Sequence, residues 1–547
     1  MKGTMKKALA LTLTGLMGAT FFAGCNKGGN KESDQHLEVY VISTGYKTDG
    51  IRAVLETFGQ QDWVKEKYPN YTFNIKDNRQ DNYALNKVKN PKTNEFDMLF
   101  TSDKFVSTFE GNAKGESLLL DITESVYNTE VIDKPGVKYV DALADAYVNY
   151  VGYTTKSNSE PKYFEVPFIT GTKGIVYSQE IFERFGYTDG KTPLTTDELF
   201  ELCDAMKENP ELAGNAEGYS FIEASQYYSG ILPIWWAQYD GVEAYDNFWK
   251  GKYTDSRGKT KTSNEIFTLE GRLHSLQVIE DIVKYDNGYF ALDQSNAGDF
   301  MQRQTTLLKG NYAMSVCADW YDTEMKTQVE SMKAAGETPH TVRIMKTPVV
   351  SAIINKLTTV TDDAMLRKVI EAIDKGETSY EGVSEEDFAI VKEARSIYEL
   401  GSMGHVGVIP SVSNSQDVAI DVFRFMATEV CQNAYMKATM GQNLPFDYDF
   451  KNMPDDVKEA ISPLQQDRLS YYYSETVPVT VLPPTLRYPL AHYSSLQPFQ
   501  SANNHYGKLF SPQGAELTAQ KLFDDTIAYW TPDKFDMAIE RAGLKEE

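Results

Sequence analysis

An α/β fold is the class this sequence predicts, and two observations carry the prediction. From His36 onward, short apolar runs alternate with stretches at helical spacing, the pattern of βαβ units. The composition, 41% hydrophobic and 12% aromatic with 34 Tyr and 27 Phe, is too apolar for a disordered chain and rich enough for a large core. A length of 547 residues leaves room for roughly two to four domains or one large interdigitated pair.

Taken in order, Leu37–Ile42 predicts a first strand closed by a Ser43–Tyr46 loop, and Gly50–Tyr68 predicts one helix ending before Pro69. Tyr71–Ile75 alternates as a second strand, and Phe96–Phe100 is a third that runs into Thr101–Lys104. Open α/β sheets bind ligands beyond the carboxyl ends of their strands, so Tyr46, Asp103 and Lys104 are candidate site residues. Lys173–Tyr177 predicts another strand, followed by a helix from about Ser178. Thr195 with Glu198 forms a capping box ahead of Leu199, Leu202 and Met206. Leu273, Leu276, Ile279 and Ile282 recur at three-residue steps and predict a helix with one buried stripe. Ser413 with Gln416 reads as a further capping box before Val418, Val422, Phe425 and Met426. The prolines of Val477–Pro484 force an extended, irregular segment.

Charge and cysteine usage narrow the function. Asp and Glu number 78 against 54 Lys and Arg, a formal net charge of −24 that repels phosphate backbones and argues against nucleic-acid binding. Cys203, Cys317 and Cys431 read as buried small hydrophobes, and neither the cysteines nor the histidines fall into zinc spacing, so no metal or cofactor is expected. No GxSxG, HExxH, P-loop or GxGxxG context occurs, and with so many carboxylates a chance pair says nothing about glycoside hydrolysis. A binding protein rather than an enzyme is the expectation.

The first residues form the most specific local signal. Lys2, Lys6 and Lys7 precede an apolar run, Ala8–Gly24, too short to span a bilayer comfortably, which identifies residues 1–24 as a signal peptide. It closes on Phe22-Ala23-Gly24-Cys25, which resembles the lipobox of bacterial lipoproteins, with Phe22 where Leu, Val or Ile is usual. The resemblance implies lipidation of Cys25. Residues 25–36 then form a flexible tether that leashes the body to the outer face of the cytoplasmic membrane, with no other membrane contact.

Four blocks in order resemble the extracellular solute-binding proteins of bacterial ABC importers, in the family of maltose and oligosaccharide binders. They are Phe96–Ile122 with its Gly115–Ile122 end; Glu165–Ser178 followed by Ile181–Gly186 and Pro193–Leu199; Leu308–Ser315 with Trp320; and Gly407–Pro410 with Ala419–Glu429 and Gly441–Pro445. Residues from about 350 to 400 stand as an insertion, and the last hundred match loosely. The resemblance implies a periplasmic-binding-protein-like pair of α/β lobes, residues 37–166 with 408–444 and residues 167–407 with 445–547. The chain would cross between lobes near Val166–Thr172, His405–Ser411 and Asn443–Pro445. It also implies a carbohydrate ligand in the cleft, delivery to the transmembrane subunits of a permease, and a monomer. The same scaffold serves sensory and adhesive lipoproteins, which gene neighbourhood would distinguish.

Sugars present apolar C–H faces ringed by hydroxyls, so a sugar cleft needs flat aromatic rings beside planar polar groups. By the resemblance, Trp320 is the first choice for stacking, then Trp235, Tyr46 and Tyr227. By the resemblance, Asp103 and Lys104 hold hydroxyls, and Thr170 and Thr172 face the cleft from a hinge strand.

Overall fold

The computed structural model describes residues 35–43, 45, 48–80, 82–102, 105, 117–155, 158–222, 225–291, 300–398, 404–482, 488–492, 498–499, 505–510 and 517–544. The signal peptide, Cys25 and the tether as far as residue 34 lie outside them, as do Tyr46, Asp103 and Lys104, whereas His36, expected in the tether, opens the first strand.

Among the described residues two five-stranded sheets form from β1 (His36–Ile42), β2 (Thr72–Asn78), β3 (Met98–Thr101), β4 (Glu165–Pro167), β5 (Lys173–Ser178), β6 (Phe221–Ile222), β7 (Phe290–Ala291), β8 (Met314–Ala318), β9 (Val342–Met345) and β10 (Val406–Val408). The first sheet runs β2-β1-β3-β10-β4 and the second β7-β6-β8-β5-β9. β1 pairs in parallel with both neighbours, Val39 lying opposite Ile75 on one side and Met98 on the other. Such a strand is covered on both faces, which is why Val39 to Val41 are all buried. β10 lies antiparallel between β3 and β4, and β5 antiparallel between β8 and β9.

Each sheet carries its own apolar core. One draws on residues 37–169 and 406–446, the other on 175–397 and 477–539. This is a two-lobe α/β fold. The chain passes from the first sheet to the second between β4 and β5, and is back in the first by Val406. It leaves again after Phe446, and the helix Pro463–Tyr472 packs on β9.

Local structure departs from the sequence reading at several places. The helix expected over Gly50–Tyr68 is two helices, Asp49–Gln60 and Asp62–Lys67, because Gln61 is extended with φ −69° and ψ 136°. That break brings Trp63 edge-on to Phe58, ring centroids 5.5 Å apart, so both helices serve one core. Ser413 is not a helix cap: its hydroxyl donates to Asp97 at 2.7 Å, and Ser415 occupies the cap position of Gln416–Met426. Thr195 caps its helix, its hydroxyl accepting from the Glu198 amide at 3.2 Å, but the Glu198 carboxylate accepts from the Leu194 amide at 2.7 Å, one residue short of the reciprocal bond of a capping box. The stretch expected as an insertion holds, within residues 350–398, helices Asp363–Asp374 and Glu385–Ser396, whose Leu366, Val369, Ile370, Phe388 and Val391 join the second core.

Candidate functional site

The strand β8 reads Met-Ser-Val-Cys-Ala and is buried throughout, then ends on Asp319, which has no exposed surface. The Asp319 amide donates to the Thr172 carbonyl at 3.0 Å, so the strand end is stitched to the first crossing segment. Trp320 follows as the N-terminal cap residue of the helix Tyr321–Ala334. Its backbone therefore belongs to the second lobe, yet its half-buried ring packs against the first lobe's core.

Described residues beside that ring include Tyr227, Gly45 and Glu324. Tyr227 meets it edge-on, centroids 5.8 Å apart and planes at 61°. Gly45, in the loop after β1, approaches so closely that a Cβ there would stand 2.6 Å from Trp320 Cδ1 and 2.9 Å from Glu324 Oε1. Glu324 lies one helical turn beyond Trp320 and so shares its face. Gln304, on the helix Phe300–Leu308, donates from Nε2 to Glu324 Oε2 at 2.8 Å, while its buried Oε1 has no hydrogen-bond partner among the described residues. Aromatic faces beside a carboxylate and an amide, set where the two lobes meet, are the groups that take a sugar ring and its hydroxyls.

Behind this wall, Arg468 joins the crossings. Its Nη1 donates to the Thr170 carbonyl (3.0 Å) and Thr170 Oγ1 (3.2 Å), its Nη2 to the Gly441 carbonyl (3.1 Å) and Asn443 Oδ1 (2.8 Å), and its Nε to Gln465 Oε1 (2.6 Å). Asp319 Oδ2 is 3.5 Å from Nε, and both side chains are at most 1% exposed. Gln465 also donates to the Asp319 carbonyl at 2.7 Å. One guanidinium thus holds the first crossing, the third crossing and the strand end that carries Trp320. Nearby, burial pushes the Asp322 carboxyl up to about 7, with Asp319 and Asp467 adding to the rise and the hydroxyl of Ser462 opposing it as a donor.

The expected site residues separate. Trp320 and Tyr227 come together. Trp235 does not join them: it is fully buried in the second core, its Nε1 donating to the Pro348 carbonyl at 3.1 Å, because Leu232–Asp240 is apolar on nearly every face and is a core helix. Thr170 is likewise turned inward, its hydroxyl donating to Asn443 Oδ1 at 2.6 Å, so it fastens the crossing rather than facing a cleft. Thr172 is 3% exposed and borders a small cavity between the crossing and β9. Glu324, Gln304 and Arg468 were not found in the sequence. Only Glu324 carried a signal there, its four-residue step from Trp320.

Among the described residues no group of three His, Cys, Asp or Glu side chains could hold a metal ion, and no helix is long and apolar enough to cross a membrane.

No family model and no curated protein matches the chain. Solved structures do match it. RafE from Streptococcus pneumoniae, in its apo form, is 14% identical with a TM-score of 0.52, over 93% of this chain and 100% of its own. The chain shares the two-lobe fold of a solute-binding protein. An ABC substrate-binding protein from Listeria monocytogenes, solved with cycloalternan, is 12% identical with a TM-score of 0.51, over 93% of this chain and 99% of its own. A chitin oligosaccharide binding protein is 12% identical with a TM-score of 0.52, over 92% and 99%.

Proposed function

We propose that the protein is the extracytoplasmic binding component of an ABC importer, capturing a carbohydrate, most simply an oligosaccharide, between its lobes and delivering it to the permease's transmembrane subunits. The observation that carries this reading is the Trp320 cluster, where a stacking ring, a carboxylate and an amide from one lobe face the Gly45 loop of the other. Ligands of solved relatives with the same fold, raffinose and cycloalternan among them, are saccharides. Ligand contacts made to both lobes at once would favour a closed arrangement, and the permease would read that shape. We assign residues 37–169 with 406–446 to one lobe and 175–397 with 477–539 to the other, with Trp320, Tyr227, Glu324 and Gln304 as ligand contacts and Tyr46, Asp103 and Lys104 as further candidate contacts. Lipidation of Cys25 would tether this monomer to the outer face of the membrane.

A thermal-shift screen of residues 35–547 against mono- and oligosaccharides, polyols and peptides tests the reading. A ligand at 100 times its Kd adds about 2.7 kcal/mol of stability, so one saccharide class should raise Tm clearly. A response confined to peptides, or turnover of a glycoside, would overturn it.

A further inference from the structure

The cavity bordered by Thr172 is small, about 20 Å³, and cationic. Lys173, Lys346 and Arg468 line it together with Thr172, Tyr398 and Tyr471, and no carboxylate does. Lys173 begins β5, Lys346 directly follows β9, and Arg468 sits on the helix that packs across β9. The fold therefore gathers three positive side chains at one point beside the first crossing.

Their neutralisation is unequal. Arg468 spends its N–H groups on protein acceptors and has Asp319 as counter-ion, so it adds field rather than a free donor. Lys346 is only 11% exposed, and its carboxylate partner, Asp374 Oδ1, pairs with its ammonium at a long 3.6 Å. Asp374 is moreover committed to Arg395, which donates to it at 2.7 and 3.1 Å. The Arg395 Nη1 group is itself buried with no hydrogen-bond partner among the described residues. Two buried cations thus share one carboxylate. Burial, with Arg395 next in effect, draws the Lys346 ammonium down to about 8, and Asp374 opposes that fall only in part.

We propose that this cavity binds a monatomic anion of halide size, held by the Lys346 ammonium within the field of Lys173 and Arg468. Its volume suits one water-sized group. Water would fill the space without supplying charge, whereas a halide supplies both. The inference rests on the cavity alone and is independent of which solute the cleft takes.

The test is thermal denaturation of the full mature chain at pH 7 and constant ionic strength, with sodium gluconate progressively replaced by sodium chloride or sodium bromide. A saturable rise in Tm with chloride and bromide is expected, and Lys346→Met should abolish it. Equal melting in gluconate and chloride would overturn the proposal in favour of water, and a chloride response retained in Lys346→Met would place the ion elsewhere. Should that variant not fold, crystals of the unmodified protein soaked in bromide decide the matter. An anomalous peak in contact with Lys346 supports the site, and its absence there refutes it.

Discussion

Replacing Arg468 by Met tests whether a single side chain holds the crossings together. The substitution keeps the buried aliphatic length but removes donors to Thr170, Gly441, Asn443 and Gln465, and takes away the cation 3.5 Å from the fully buried Asp319. Removing one partner of a buried pair costs about 3–5 kcal/mol, mostly because the remaining charge stays out of water. The stranded carbonyl and amide acceptors act in the same direction, and water entering the space recovers part of their loss. We expect about 4 kcal/mol, which at roughly 2–4 °C per kcal/mol for a lobe of this size lowers Tm by about 8–16 °C. Calorimetry and urea titration of the unliganded protein measure it. Arg468→Lys should recover little, because an ammonium cannot reproduce the planar fork that serves both crossings. Asp319→Asn in the Arg468→Met background should regain part of the loss, since the buried charge has gone. A single mutant within about 1 kcal/mol of the parent, or strictly additive effects of the two substitutions, would refute the reasoning.

Further expectations concern closure, pH and the two tryptophans. Gly45→Ala places a methyl 2.6 Å from Trp320 Cδ1, so it should weaken saccharide binding about 5- to 150-fold, the range for 1–3 kcal/mol of overpacking. Titration calorimetry reads both the affinity and its enthalpy. Asp322 keeps its proton in the folded protein up to about pH 7, whereas in the unfolded chain it releases it near 3.8. Between those values the folded state binds more protons, so stability should fall as pH rises through the window, and Asp322→Asn should flatten that part of the Tm–pH curve. Trp235→Ala should cost about 3–5 kcal/mol of stability as a core truncation, whereas Trp320→Ala, at a half-buried ring, should leave Tm nearly unchanged.

Much of the architecture was legible because strands covered on both faces read as apolar runs: β1, β3 and β5 lie within a few residues of where alternation and turn residues put them. The helix break at Gln61 was not legible, since nothing local forbids helix there and the gain comes from a tertiary contact between Phe58 and Trp63. At the site, Trp320 and Tyr227 were reached through family resemblance, and Trp235 was misplaced because a tryptophan pair looks the same in sequence whether it lines a cleft or fills a core. Arg468 could not be found at all. Its partners are about 300 positions away at Thr170, about 150 at Asp319 and 25 at Asn443, and they converge only when the chain has crossed between the sheets.

The central claim, that a saccharide stacks on Trp320 between the lobes, is tested most directly by titrating the saccharide class picked out by the thermal screen into the parent protein and into Trp320→Ala. The account predicts a loss of affinity of at least about tenfold, equivalent to 1.4 kcal/mol, with the unliganded melting temperature preserved. Equal affinity in the two proteins would contradict it and move the binding site away from this ring.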